Sequence, residues 1–83
     1  MITAQQIRAG RALVRWSAQE LADGTELGLS TVQRMESGDG IPSASAPNLA
    51  KVQAALEGAG VVFLDATGEH GPGVAVRLPK AKR

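Results

Sequence analysis

The sequence predicts a mainly α domain of four short helices followed by a β-hairpin. Three observations lead to this fold class. Capping residues precede segments whose apolar residues recur at helical spacing, and two β-branched runs follow the last of these segments. The chain of 83 residues also has no cysteine, so neither a disulfide framework nor a thiolate metal site helps to stabilise it. A chain of this length holds one core, and we expect oligomerisation to add burial.

The first two helices each begin at a capping box. Thr3 with Gln6 predicts a helix over residues 4–15, and Ser17 with Glu20 predicts a second helix that starts at Ser17. Poor helix formers limit this second helix to about two turns and predict a turn near residues 25–28.

The third and fourth helices follow from apolar periodicity and from their ends. A third helix is predicted over residues 29–37, with Gly38 placed to close it in a left-handed conformation. Ser45 caps a fourth helix that ends at the pair of Gly58 and Gly60. The expected inward residues of the third and fourth helices are Val32, Met35, Leu49, Val52 and Leu56. Trp16 and Leu21 form an expected hydrophobic staple at the start of the second helix of the chain.

The end of the chain changes character. Residues 61–64 and 74–78 predict the two strands of a hairpin, joined by a glycine-rich loop. The chain therefore divides into a helical part, residues 1–60, and a C-terminal part, residues 61–83, which ends in a basic tail. Both faces of the first strand are apolar and an isolated hairpin is marginal in water, so we expect it to pack on the helices and to pair with a second subunit. The expected dimerisation residues are Val61, Val62, Phe63, Leu64, Val74, Val76 and Leu78.

Charge and chemistry narrow the classes of function. Nine Lys and Arg against eight Asp and Glu give a net charge of only +1, so bulk charge does not indicate a nucleic-acid binder. The longest uncharged stretch, residues 40–50, lacks the apolar density of a membrane span, so for a bacterial or phage protein we expect a cytoplasmic location. His70 stands among glycines without ligands at metal-binding spacing, and no catalytic triad or dyad pattern occurs. We therefore expect no metal, no cofactor and no catalysis, and we interpret Lys80, Lys82 and Arg83 as a solvated terminus.

A short helix, a tight turn and another short helix form the geometry that lays a helix in the major groove of DNA. Here the segments WSAQELA at residues 16–22 and VQRMESG at residues 32–38 resemble the Cro/lambda-repressor (XRE) family of DNA-binding regulators. The resemblance covers about residues 3–58. Arg11 and Glu36 match a pair that forms a buried salt bridge in the family. Residues 49–63 look like a subgroup of small bacterial regulators with a C-terminal strand pair.

The resemblance implies a four-helix lambda-repressor-like helix-turn-helix domain. Such a protein would bind double-stranded DNA as a homodimer, near the nucleoid, and act as a repressor or activator. Arg34 would bond guanine and Gln33 would bond adenine, while the hydroxyls of Ser30 and Thr31 would contact bases or phosphates. The family implies base readout by Leu29, Ser30, Thr31, Gln33 and Arg34. The implied phosphate contacts are the start of the second helix at Ser17 and Ala18, with Arg8 and Arg15 on the flanks.

Three departures from the family leave alternatives open. Ala18 stands where a glutamine is common, Glu26 replaces the usual turn glycine, and Gly28 replaces a Ser or Thr cap. With the low net charge, they leave open that the same fold binds a protein partner such as a toxin, as an antitoxin or anti-repressor. A structural assembly module built on the hairpin is the second alternative.

Overall fold

The structure, a computed structural model, describes residues 1–78. Four helices precede a two-stranded antiparallel hairpin, in agreement with the mainly α fold that the sequence predicts. No helix among residues 1–78 combines the length and the apolar character that a membrane crossing requires. Lys80, Lys82 and Arg83 of the predicted basic tail lie outside the described residues. The elements are α1 (Ala4–Leu13), α2 (Ala18–Thr25), α3 (Leu29–Glu36), α4 (Ala46–Gly58), β1 (Val61–Leu64) and β2 (Gly73–Val76).

The starts of α1, α2 and α4 are fixed by side-chain caps. The hydroxyl oxygens of Thr3 and Ser17 accept from the backbone N–H three residues later, at 3.1 and 3.0 Å, and in both cases the reciprocal bond of the capping box is present. Ser45 caps α4 in the same way, at 3.3 Å. These three predictions are confirmed, because a cap depends only on residues within one turn.

The ends of the elements differ from the prediction by one or two residues. Helix α1 ends at Leu13 and not at Arg15, since Arg15 takes a left-handed conformation (φ 59°) and Trp16 N–H bonds back to the Arg11 carbonyl at 3.0 Å. Helix α2 continues through Thr25, and α3 stops at Glu36. Gly38 has φ 74°, which confirms its predicted left-handed conformation. Strand β2 begins one residue early and ends at Val76.

The core lies between the four helices, and α1 and α4 pack against β1. Helix α1 contacts α3, α4 and both strands, while α2 packs against α3 and α4. A Cβ at Gly10 would lie 3.3 Å from Val61 Cγ1, so the absence of a Cβ lets α1 approach β1 closely. The residues buried in the apolar core are Ile2, Ile7, Leu21, Ala22, Val32, Met35, Leu49, Val52, Leu56 and Val61.

The hairpin has one covered and one open face. Val61 pairs with Val76 and Phe63 with Val74, and three of these four side chains pack against the core. On the opposite face Val62 is half-buried and Leu64 is exposed. The sequence suggested burial of β1 on both sides, but residues 1–78 cover only one of them.

Candidate nucleic-acid interface

Helices α2 and α3 pack against each other across a turn of three residues, Glu26 to Gly28. Thr25, the last residue of α2, holds this turn in place. Its buried hydroxyl donates to the Leu21 carbonyl at 2.9 Å and accepts from Leu27 N–H at 3.3 Å. The sequence predicted only a turn that begins near Thr25, and this role of its hydroxyl was missed.

One face of α3 is open to solvent. Ser30, Gln33 and Arg34 are exposed, whereas Val32 and Met35 are buried on the opposite side. Within residues 1–78 the side chains of Gln33 and Arg34 have no hydrogen-bond or ion-pair partner, so their donors and acceptors are available to a ligand.

The other two predicted readout residues are less accessible. Leu29 is half-buried and packs against the core, and Thr31 is half-buried. Gly28 gives α3 no side-chain cap. Among the residues that the structure describes, the first N–H groups of α3 have no partner, so they can meet a polar ligand near Ser30.

The start of α2 is only partly free. The Ser17 side chain accepts from Glu20 N–H, and Ser17 N–H donates to the Glu20 carboxylate at 2.8 Å. The N–H groups of Ala18 and Gln19 have no partner within the described part of the chain. An anion at this helix end would therefore meet those two amides, with the Glu20 carboxylate close to it.

Arg11 and Glu36 connect α1 to the end of α3. Arg11 Nε and Nη2 donate to the two carboxylate oxygens of Glu36 at 2.7 and 2.9 Å, and Nη1 donates to the Trp16 carbonyl at 3.0 Å. The hydrogen bond to Glu36 raises the pKa of Arg11 above its already high ordinary value. Both groups are thus used inside the molecule, which fits a structural role.

Arg8 also binds the end of α3. Its Nη1 donates to the carbonyls of Glu36 and Gly38, and its Nη2 lies 3.7 Å from the Asp39 carboxylate. The sequence predicted a phosphate contact for Arg8, but the structure engages its guanidinium with the chain's own carbonyls. Arg15, in contrast, is exposed and lies three residues before the start of α2.

Gln6 joins α1 to the hairpin, a role that sequence reasoning missed. Its Oε1 accepts from Thr3 N–H at 2.8 Å, and its Nε2 donates to the carbonyls of Leu64 (3.2 Å) and Gly73 (2.9 Å). Gln6 is 5% exposed, and its side-chain polar atoms all have hydrogen-bond partners. In the sequence, the only sign of Gln6 was its place in the capping box with Thr3.

The predicted dimerisation residues fall into two groups. Val61 is fully buried in the chain's own core, and Phe63 and Val74 are half-buried against it. These side chains are therefore used at least in part inside the chain. The remaining members, half-buried or exposed, are Val62, Leu64, Val76 and Leu78.

The chain matches no model of a known protein family. A comparison with curated proteins likewise gives no match.

Proposed function

We propose that this chain is a sequence-specific, double-stranded-DNA-binding transcriptional regulator that acts as a homodimer. In this proposal it has a lambda-repressor-like helix-turn-helix fold, in which α2, the turn and α3 form the motif. The observation that carries the proposal is the open face of α3. A helix about 10 Å across fits the major groove only if the chain does not cover its outer side.

The side chains on this face suit base readout. The guanidinium of Arg34, which has no partner in the described part of the chain, can donate two hydrogen bonds to guanine, and the amide of Gln33 can pair with adenine. Ser30, near the uncapped start of α3, can contact a base or a phosphate. Leu29 and Thr31 lie at the rim of the face, where the Leu29 side chain can reach a thymine methyl only with its exposed part.

Backbone amides and one arginine are the proposed phosphate contacts. Within residues 1–78 the N–H groups of Ala18 and Gln19 have no partner, and Arg15 precedes Ala18 by three residues. Arg8 is assigned instead to holding the end of α3, because its Nη1 donates to two carbonyls there. With few cations near α3, the affinity should fall less steeply with salt than in strongly basic regulators.

Selection of bound duplexes from a random DNA pool tests the proposal. We expect a consensus with two half-sites about 34 Å apart, as two-fold-related recognition helices require. Arg34→Ala should then weaken binding to the consensus by about 1–3 kcal/mol and relax the preference at one base pair. Lys51→Ala, which removes an exposed cation from α4, is the matched control and should leave the preference unchanged. Absence of enrichment at low salt, or an unaltered preference in Arg34→Ala, would overturn the proposal.

A protein partner is the second candidate, and the charge of α2 favours it. Glu20, Asp23 and Glu26 are all exposed on α2 and its turn, and they form an acidic surface suited to a basic protein. If the chain fails to enrich any duplex and instead binds a basic partner in a manner that Asp23→Lys abolishes, this candidate replaces DNA binding.

A further inference from the structure

We propose that two copies of this chain associate through the free edge of β2, which pairs antiparallel with the same strand of the second copy and places Ala75 at the two-fold axis. The inference deepens the proposed function by naming the surface that makes the homodimer. It is tested without DNA, so its failure can be distinguished from failure of the DNA-binding proposal.

The hydrogen bonds of the hairpin identify which backbone groups face outward. Arg77 N–H donates to the Gly60 carbonyl at 2.7 Å, and the register continues with Val62 opposite Ala75. Because bonded and non-bonded pairs alternate in an antiparallel ladder, Ala75 points its backbone groups toward β1. Val74 and Val76 therefore point theirs away from β1, and these groups have no partner within residues 1–78.

The two edges of the hairpin differ in access. On β1 the outward-facing backbone belongs to Val61, which is fully buried, and to Phe63, which is half-buried. On β2 it belongs to Val74, which is half-buried like Phe63, and to Val76, which is 49% exposed and is the most accessible of the four. Strand β2 is therefore the edge that another strand can reach.

A second copy fits this edge because antiparallel pairing of a strand with itself is self-complementary. With Ala75 at the axis, Val74 of each copy lies opposite Val76 of the other, so about four N–H and C=O pairs are satisfied. The two small Ala75 side chains meet without a clash. Arg77 lies opposite Gly73, so the two arginines do not face each other.

The apolar character of the edge also favours association. Val76 and Leu78 are exposed apolar residues along β2 and just after it, and Leu78 is 85% exposed. Leu64 adds exposed apolar surface on the open face of the hairpin. Natural edge strands are commonly protected by charges, proline or bulges, and the outward positions 74 and 76 carry valine. Pairing would convert two marginal hairpins into one four-stranded sheet.

Single cysteines provide the test, since the chain has none of its own. Opposed residues of a non-bonded antiparallel pair lie about 4.5 Å apart at Cα, within the range that a disulfide spans. Ala75→Cys should therefore oxidise to a covalent dimer at micromolar concentration. Val62→Cys, which would lie at the axis if β1 paired instead, and Gly68→Cys in the connecting loop are matched controls. We expect both controls to cross-link at least about tenfold more slowly than Ala75→Cys, because only position 75 is held beside its copy.

A second variant tests pairing at the β2 edge without cysteine cross-linking. Val76→Pro removes an outward N–H and leaves the bonds between β1 and β2 in place, so we expect a folded monomer by circular dichroism and sedimentation. The interface is overturned if Val62→Cys cross-links faster than Ala75→Cys, if Ala75→Cys is no faster than Gly68→Cys, or if folded Val76→Pro remains a dimer. A dimer that cross-links at position 75 and binds no DNA would contradict the proposed function alone.

Discussion

Arg11 and Glu36 join the last turn of α1 to the last residue of α3 through two parallel hydrogen bonds of 2.7 and 2.9 Å. Their side chains are 26% and 9% exposed, so the pair is largely withdrawn from water. Glu36→Ala would leave a partly buried guanidinium with only the Trp16 carbonyl. We expect the free energy of unfolding to fall by about 2–4 kcal/mol, below the cost of breaking a fully buried pair because Arg11 keeps some solvent contact.

Urea unfolding followed by Trp16 fluorescence measures this loss, since the chain has one tryptophan. Asp39→Ala is the control: it breaks the exposed ion pair of Arg8 and should change the free energy of unfolding by less than about 1 kcal/mol. Equal effects of the two substitutions would contradict the assignment. Because the pKa of Arg11 is raised in the folded state, its contribution to the free energy of unfolding is fully present below the ordinary arginine pKa. This contribution is lost only as the pH rises through the raised pKa, so Arg11 adds no pH dependence to stability near neutrality.

The salt dependence of DNA binding distinguishes the two roles considered for Arg8. A residue that neutralises a phosphate changes the slope of log K against log salt by about one when it is removed. Because Arg8 binds the carbonyls of Glu36 and Gly38, we expect Arg8→Ala to weaken binding with little change in this slope. Arg15→Ala should reduce the slope. The reverse pattern, with Arg8 changing the slope, would return Arg8 to the phosphate contacts.

Gln6→Glu tests the link between α1 and the hairpin. The substitution keeps the size of the side chain but places a carboxylate against the carbonyls of Leu64 and Gly73, in a site that is 5% exposed. Near neutral pH we expect a loss of roughly 2–4 kcal/mol in the free energy of unfolding. Burial and the two carbonyls should raise the pKa of the new carboxyl, so the native state binds the extra proton and the variant loses less stability as the pH falls.

Gln5→Glu is the matched control for this change. Gln5 is exposed, and its Oε1 only accepts a hydrogen bond, from Gly40 N–H at 3.3 Å. A carboxylate accepts the same bond, so we expect an effect within about 0.5 kcal/mol. Thermal melts of both variants at pH 4.5 and 7.5 provide the comparison. Similar losses in both variants, or a loss in Gln6→Glu that is the same at both pH values, would show that Gln6 does not donate to the hairpin.

These residues show which parts of the structure the sequence could predict. The caps at Thr3, Ser17 and Ser45 depend on partners three residues away, and the open face of α3 follows from helical periodicity. The contacts of Gln6 Nε2 span 58 and 67 residues and those of Arg8 span 28 and 30, so no local pattern encodes them. Such contacts are set by the packing of α1 between the hairpin and α3.

Backbone strain at Glu26 gives the last prediction. Glu26 has φ 62°, a left-handed conformation that costs a residue with a Cβ about 1–2 kcal/mol and that glycine adopts freely. Glycine loses about 0.5–1 kcal/mol more entropy on folding, so Glu26→Gly should raise the free energy of unfolding by up to about 1 kcal/mol. Glu26→Ala removes the same charge but keeps the Cβ, and we expect no gain from it. Urea titration of the two variants side by side decides the cause, because an equal gain in both would attribute the effect to the carboxylate and not to the backbone.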